Sequence, residues 1–254
     1  MSRLPWPPLG KCFAAYLLQY GGRPAGCPDS YMTDKEYTGK YDPDACAGCG
    51  RCLAACPYLN LSPTRARREI GRLRAGKWSP VLEACVGCAT CDMHCPAGNS
   101  PYELIRTRWG ERYASRGLPE RARYLMPTMF PNFRSDLPMG TDEQKLLARI
   151  SAPPQGREVL YTGCNTLIFP EILDSRLFEG LELFGSFEHC CGEMYYRMGL
   201  MDAARAVAEK LADFFSGMKI EKVVFVCAAC MNVISNVYPR EFGIELDFEK
   251  QFIS

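Results

Sequence analysis

The chain has 254 residues, of which 47% are hydrophobic and 23% charged, with a formal net charge of +1. That length gives one large domain or two small ones, and the balanced charge argues against a nucleic-acid binder. Fifteen cysteines stand against two histidines, whereas disulfide scaffolds are short secreted chains with even cysteine counts, so the composition points to metal–sulfur chemistry in a reducing compartment.

The first ten residues, MSRLPWPPLG, hold no apolar stretch of the kind a secretory signal needs. Residues 1–40 read as a Gly- and Pro-rich extension, with a short helix over 11–20 that GGRPAG at 21–26 breaks. Cys12 and Cys27 fit no motif and read as free thiols. Residues 46–96 carry eight cysteines in two similar blocks, the chain's internal repeat. Between the blocks, Thr64 to Leu73 reads as a basic amphipathic helix. Pro101 to Arg116 reads as another, with Pro at its start and Gly117 at its end. Residues 118–156 are studded with prolines and read as a linker, interrupted by a short helix from Asp142 to Ile150.

From residue 157 the pattern changes. Glu158–Thr162 is a β-prone run ending at Gly163-Cys164, and Leu181–Phe187 offers a second strand. Met201–Met218 reads as a long helix with Ala204, Val207, Leu211, Phe214 and Phe215 on one side. Lys222–Val226 is a third strand ending at Cys227. The longest apolar run, Val223–Met231, is far short of the ~20 residues of a membrane helix. Strand–helix–strand alternation implies a parallel α/β unit. Charge divides along the chain, with +7 over residues 1–140 and −6 over 141–254. The two lobes can attract each other, the basic lobe can meet an acidic redox partner, or the asymmetry is only a solvated surface.

The first cysteine block is Cys46-Ala-Gly-Cys49-Gly-Arg-Cys52-Leu-Ala-Ala-Cys56-Pro57, and the second is Cys85-Val-Gly-Cys88-Ala-Thr-Cys91-Asp-Met-His-Cys95-Pro96. Both are C-x2-C-x2-C-x3-C-P, the bacterial ferredoxin run. Three thiolates at this pitch wrap one face of a [4Fe–4S] cube, and the fourth ligates the other cluster. Cys46, Cys49, Cys52 and Cys95 are therefore expected on one cubane, and Cys85, Cys88, Cys91 and Cys56 on the other. Gly48, Gly50 and Gly87 let backbone N–H groups approach the sulfurs. A zinc reading fits badly, because zinc prefers paired C-x2-C knuckles with four ligands per ion. His94 lies inside a motif that lacks no cysteine, so a surface or supporting role suits it. The block resembles the α-helical ferredoxin module of heterodisulfide reductase small subunits more than that of succinate dehydrogenase iron–sulfur subunits, which do not usually carry two complete motifs.

The remaining five cysteines form the pattern C-x25-C-C-G-x34-C-A-A-C, at Cys164, Cys190, Cys191, Cys227 and Cys230. Adjacent thiols do not readily chelate one small tetrahedral ion, but they can bridge irons of a larger cluster. This looks like the cysteine-rich CCG domain of heterodisulfide reductases and of glycolate oxidase iron–sulfur subunits, over about residues 157–254. The order of the modules is similar to the fused catalytic subunit of heterodisulfide reductase. The resemblance implies a noncubane [4Fe–4S] cluster held by Cys164, Cys190, Cys191, Cys227 and Cys230, which binds and cleaves a disulfide. It makes Cys190 and Cys191 the expected site of chemistry. His189, which directly precedes the pair, is a candidate donor of a proton or of a hydrogen bond to sulfur. Tyr161, Tyr195 and Tyr196 line a substrate opening or are ordinary core or surface aromatics. The chain departs from the family pattern in its shorter first spacer and in carrying one CCG motif where catalytic subunits normally carry two. It is natively short, a fragment, or completed by another polypeptide.

The expected fold is α+β overall. Residues 1–40 form the extension, 41–117 a two-cluster helical ferredoxin-like domain, 118–156 the Pro-rich linker, and 157–254 an α/β CCG domain with a small parallel sheet. The resemblance implies an iron–sulfur redox subunit that passes electrons from a flavoprotein partner to a disulfide or related sulfur substrate. No G-x-G-x-x-G follows a strand, so the flavin belongs to the partner. A second CCG-containing subunit or a membrane cytochrome subunit is a further expected partner, and the location is cytoplasmic or peripheral to a membrane. The alternative is a non-catalytic relay, similar to glycolate oxidase iron–sulfur subunits, that delivers electrons to a quinone or other carrier.

Overall fold

The computed structural model describes residues 39–253, apart from 133, 134, 137 and 169. Cys12, Cys27, the helix expected over 11–20 and most of the expected extension lie outside the described residues. The chain divides into two compact units at Ile105/Arg106. The architecture is α+β, with helices preceding a small parallel sheet.

The first unit is helical. Helix α1 (Arg51–Ala54) follows Cys49, α2 spans Pro63–Arg74, α3 Val81–Ala84 and α4 Thr90–Met93. Pro63 opens α2 at a position whose N–H has no intrahelical partner to lose, and the Ser62 side chain accepts from the Arg65 N–H. Helix α2 buries Ala66, Glu69, Ile70 and Leu73, the i, i+3, i+4, i+7 face, and turns its arginines outward. Glu69 is fully buried, but its carboxylate accepts from Ser79 Oγ at 3.0 Å and Arg68 Nε at 3.1 Å. The two cysteine blocks share one backbone shape. Gly50 and Ala89 both adopt the left-handed conformation, and each starts a four-residue helix, α1 or α4. Helix α5 (Pro101–Arg116) begins in this unit and continues into the next. Its start is held by Asp92, which accepts from the Tyr102 N–H and the Ser100 hydroxyl, both at 2.8 Å.

The second unit is a four-stranded parallel sheet of β1 (Glu158–Tyr161), β2 (Glu182–Phe184), β3 (Lys222–Phe225) and β4 (Glu249–Phe252), in the order β2-β1-β3-β4. Tyr161 pairs in register with Phe184 on one side and Phe225 on the other. Successive residues point to opposite faces. Val159, Tyr161, Phe184, Val223 and Phe225 pack on one face against helix α9 (Met201–Ser216) and Tyr238. Leu160 and Val224 pack on the other against Ile150, Leu167, Leu173 and Phe178. Helix α9 buries Ala204, Ala208, Leu211 and Phe215. Ala208 thus takes the buried place expected of Val207, and Phe214 instead stacks on Phe184 at 4.6 Å.

The stretch 118–156 holds helices α6 (Glu120–Tyr124) and α7 (Thr141–Ser151). It contributes fully buried Met126 and Ile150 to clusters of the second unit, and the Gly185 N–H donates to the Ile150 carbonyl. The remaining elements are α8 (Glu193–Arg197) and α10 (Ala228–Asn232), the latter running into a π-helical stretch, Val233–Phe242, that ends at left-handed Gly243. Among the described residues, no helix is long and apolar enough to cross a membrane.

Candidate iron–sulfur sites

The eight thiols of the first unit interleave between motifs. Burial pushes the Cys52 thiol up to about 12, and the neighbouring sulfur that adds most is Cys95 of the other motif, ahead of Cys49 and Cys46. Burial likewise pushes Cys85 up to about 11, with the Gly87 N–H opposing and Cys88 and Cys56 adding. Cys91 is raised by burial and then by the Asp92 carboxylate, with Cys52, Cys85 and Cys88 behind. Cys95 thus neighbours Cys52 of the first motif, and Cys56 neighbours Cys85 of the second. Crowded, half-buried thiols resist ionising together, and a bound metal cluster removes that resistance. The Gly87 N–H also points at Cys85 Sγ, 3.5 Å away.

The five thiols of the second unit meet at one end of the sheet. The order β2-β1-β3-β4 means that the chain leaves β1 to one side and returns on the other, so β1 and β3 flank a topological switch point. In open parallel sheets ligands bind outside the carboxyl ends of strands at such a point. Cys164 follows β1 there, and Cys227 follows β3. Cys190 Sγ lies 3.6 Å from Cys164 Sγ. Cys191 neighbours Cys190 and Cys230, and Cys230 neighbours Cys227, so the five form one connected set. Cys190, Cys191 and Cys230 are buried, whereas Cys164 and Cys227 are half-buried.

The site is shaped for close packing at sulfur. Gly163 has φ +68°, and a Cβ placed on it would stand 2.8 Å from Cys230 Sγ. The Gly192 N–H points at Cys190 Sγ from 3.5 Å, repeating the Cys85–Gly87 geometry. Hydrogen bonding to Cys164 and Cys191 pulls the Cys190 thiol well below its ordinary range, and the bond with Cys230 pulls Cys227 down to about 6. The same sharing lifts Cys164, and bonds to Cys190 and Cys230 with full burial push Cys191 well up. A pocket that already favours some thiolates and packs backbone N–H groups on sulfur suits an iron–sulfur cluster.

Three aromatic and polar residues brace this site, and two of them, Tyr238 and Glu193, have no signal in the sequence pattern. Tyr161 is fully buried, and its hydroxyl donates to the His189 carbonyl at 2.5 Å, so it is core rather than the lining of an opening. Tyr238, also fully buried, donates to the Cys191 carbonyl at 2.9 Å. Glu193 opens α8 beside the cysteine pair, held by Arg197 Nε at 2.6 Å, and burial followed by Cys190 raises its pKa against the pull of Arg197. The His189 ring packs on Phe214 at 4.1 Å, and its Nδ1 lies 2.9 Å from Ser186 Oγ. Burial and then Lys210 lower its pKa. Tyr195 is buried, with its hydroxyl on Thr128 Oγ1. Tyr196 lies under the Arg106 guanidinium at 4.0 Å and accepts from Arg240 at 2.8 Å.

Comparison with known proteins divides the chain in the same way. Residues 42–99, which contain all eight cysteines of the first unit, match the family described as 4Fe-4S dicluster domain. Residues 169–235 match the cysteine-rich CCG domain family. The chain is 34% identical over 70 residues to the D-type subunit of the dihydromethanophenazine:CoB–CoM heterodisulfide reductase of Methanosarcina barkeri, a match covering 26% of this chain and 17% of that relative. No solved structure matches the chain. With the geometry of its two thiol sites, the chain pairs a 4Fe-4S dicluster domain with a CCG domain and is an iron–sulfur protein similar to the heterodisulfide reductase D-type subunit.

Proposed function

We propose that this chain is the iron–sulfur redox subunit of a heterodisulfide-reductase-type complex, taking electrons from a flavoprotein partner and reducing a disulfide or related sulfur substrate. The observation that carries the reading is the convergence of Cys164, Cys190, Cys191, Cys227 and Cys230 outside the carboxyl ends of β1 and β3. In this reading Cys46, Cys49, Cys52 and Cys95 hold one cubane, and Cys85, Cys88, Cys91 and Cys56 hold the second. The five cysteines of the second unit hold a noncubane [4Fe–4S] cluster. When bound, such clusters supply one-electron relays and, at an open iron, a seat for a substrate sulfur. The domain plan is an extension to residue 40, a dicluster domain over 41–117, a Pro-rich linker to 156, and the CCG domain beyond it. The protein works in the cytoplasm or peripherally at a membrane, beside a second CCG-containing or membrane cytochrome subunit.

The overall step takes two electrons and two protons, cleaves one S–S bond and forms two S–H bonds. Half-buried Cys164 and Cys227 form the accessible side of the site, and buried Cys190, Cys191 and Cys230 its floor. Tyr161 and Tyr238 fix the backbone of the cysteine pair through the carbonyls of His189 and Cys191. His189 Nε2 is the ring nitrogen left for proton delivery, since Nδ1 is engaged by Ser186.

Burial of three of the five thiols favours a second reading, in which the site is a sealed relay between a dehydrogenase and a carrier. One experiment separates the two. Anaerobically purified protein should carry about 12 iron and as much sulfide per chain, and Cys190→Ser with Cys191→Ser should remove about four. Adding a disulfide to the oxidised wild type should shift the EPR signal of the cluster lost in that variant. An unshifted signal leaves the relay. Iron unchanged in the double variant removes the third cluster, and zinc without sulfide removes both readings.

A further inference from the structure

The two cysteine motifs repeat in spacing, but their surroundings do not. The first is preceded by a strap, residues 41–43, fixed to the rest of its unit by four hydrogen bonds. The Tyr41 N–H donates to Glu103 Oε2 at 2.5 Å, and the Asp42 N–H to Asn99 Oδ1 at 2.8 Å. Asn99 Nδ2 returns a bond to the Asp42 carbonyl at 2.6 Å, and Arg74 Nη2 donates to the Pro43 carbonyl at 3.3 Å. The strap presses the Tyr41 side chain inward. Its hydroxyl oxygen is buried and finds no hydrogen-bond partner. The groups it faces are the Cys46 thiol and the Arg74 guanidinium. Arg74 Nη1 also reaches to 3.0 Å of where a Cβ on Gly48 would stand, beside the same motif. A buried phenol without an acceptor is costly, and a thiolate sulfur at Cys46 supplies one.

The second motif has no tyrosine at the equivalent place. The residue five places before Cys85, equivalent to Tyr41, is Pro80. In place of a donor the second motif carries a carboxylate, since Asp92 follows Cys91 where Leu53 follows Cys52. Asp92 Oδ1 lies 3.7 Å from Cys91 Sγ, and the carboxylate is pinned there by the Ser100 hydroxyl and the Tyr102 N–H at the start of α5. Reduction adds negative charge to a cluster. A hydroxyl donor or a cation next to its sulfur favours the added electron, and a carboxylate opposes it.

We infer that the two cubanes are held at different reduction potentials, the one on Cys46 higher than the one on Cys91, by Tyr41 and Arg74 on one side and Asp92 on the other. The inference rests on the two-cubane reading proposed above. Tyr41, Arg74 and Asp92 are positioning residues: Asp92 lies beside Cys91 Sγ, Tyr41 faces the Cys46 thiol, and Arg74 lies beside Tyr41 and Gly48. The consequence is a direction, with downhill transfer running from the Cys91 site to the Cys46 site.

The test is an anaerobic EPR-monitored redox titration of the full chain, with iron content measured on every sample. The wild type should titrate its cubanes in two separate steps. Tyr41→Phe should move the higher step to lower potential and leave the other in place. Arg74→Gln should move that same step the same way, and it serves if Tyr41→Phe fails to assemble. Asp92→Asn keeps an acceptor for the Tyr102 N–H and should move only the lower step upward. With two cubanes present by iron assay, steps that do not move, or that both move with one substitution, overturn this inference alone. A wild type that binds fewer than two cubanes overturns the two-cubane reading and takes the inference with it.

Discussion

Ala89 stands where the first motif has Gly50, at φ 57°, in a backbone region that costs an L-residue with a Cβ about 1–2 kcal/mol. The repeat needs that conformation to turn from one thiol into the helix carrying the next, so the alanine bears the strain. Ala89→Gly should stabilise the protein by about 0.5–1 kcal/mol after the added chain entropy of glycine is counted, read as a shift in denaturant midpoint. Gly50→Ala should do the reverse and more. Its Cβ would stand 2.4 Å from the Arg67 backbone nitrogen in α2, and backbone cannot give way as a side chain tip does. A loss above about 2 kcal/mol is expected, and a neutral result would mean that α1 and α2 are not packed as described. His189 gives a pH-dependent prediction. Its folded-state pKa is lowered by burial and then Lys210, so below about pH 6.5 the unfolded chain takes up the proton first. Stability should fall as pH drops through that value toward the folded-state pKa, and His189→Gln should flatten the difference between pH 7.5 and pH 5.5, both taken as round assay values around that threshold.

At the level of elements, the crossing of the cysteine motifs is the feature most open to test. Cys95 neighbours Cys52 of the first motif, although it follows the second motif's helix α4 in the chain. A pairwise experiment reads this directly. Cys95→Ser and Cys49→Ser each lose about four iron, and together they should lose no more, because they damage one cluster. Cys95→Ser with Cys88→Ser should lose about eight. The opposite pattern would show each motif closing its own cluster. Helix α2 shows what local pattern conveys well: Thr64–Leu73 was legible from its period and widens only to Pro63–Arg74. Helix α5 matches Pro101–Arg116 at both ends, because a proline at one end and left-handed Gly117 at the other are local chemical stops. The four-residue helices α1 and α4 had no such signal, since a helix that short has no periodicity to display.

In the molecule as a whole, the CCG unit builds its main core around thiols. Cys190, Cys191 and Cys230 lie in the same buried cluster as Tyr161, Phe184, Leu211 and Phe225. A cluster bound there binds the folded unit and not the unfolded chain, so it stabilises the fold. Oxidative removal of iron followed by chelation under reducing conditions should lower the unfolding midpoint of the 106–254 unit, seen as lost amide-exchange protection in β1 and β3. Unchanged protection would mean that the thiols alone sustain the core. The sequence by itself determined the two ferredoxin motifs, the parallel α/β character of the second half and the ends of its central strands. These follow from spacing, period and turn residues, which act over a few positions of chain. Tertiary structure decided the rest. It set the strand order that puts Cys164 and Cys227 on either side of a switch point, and it added the polar strand β4, whose pattern shows no buried face. It drew Met126 and Ile150 out of a proline-rich stretch into buried clusters, and it set Tyr238 against Cys191 across 47 positions of chain. Contacts of that range are fixed by which surfaces bury each other when the sheet closes, and no local run of residues records the choice.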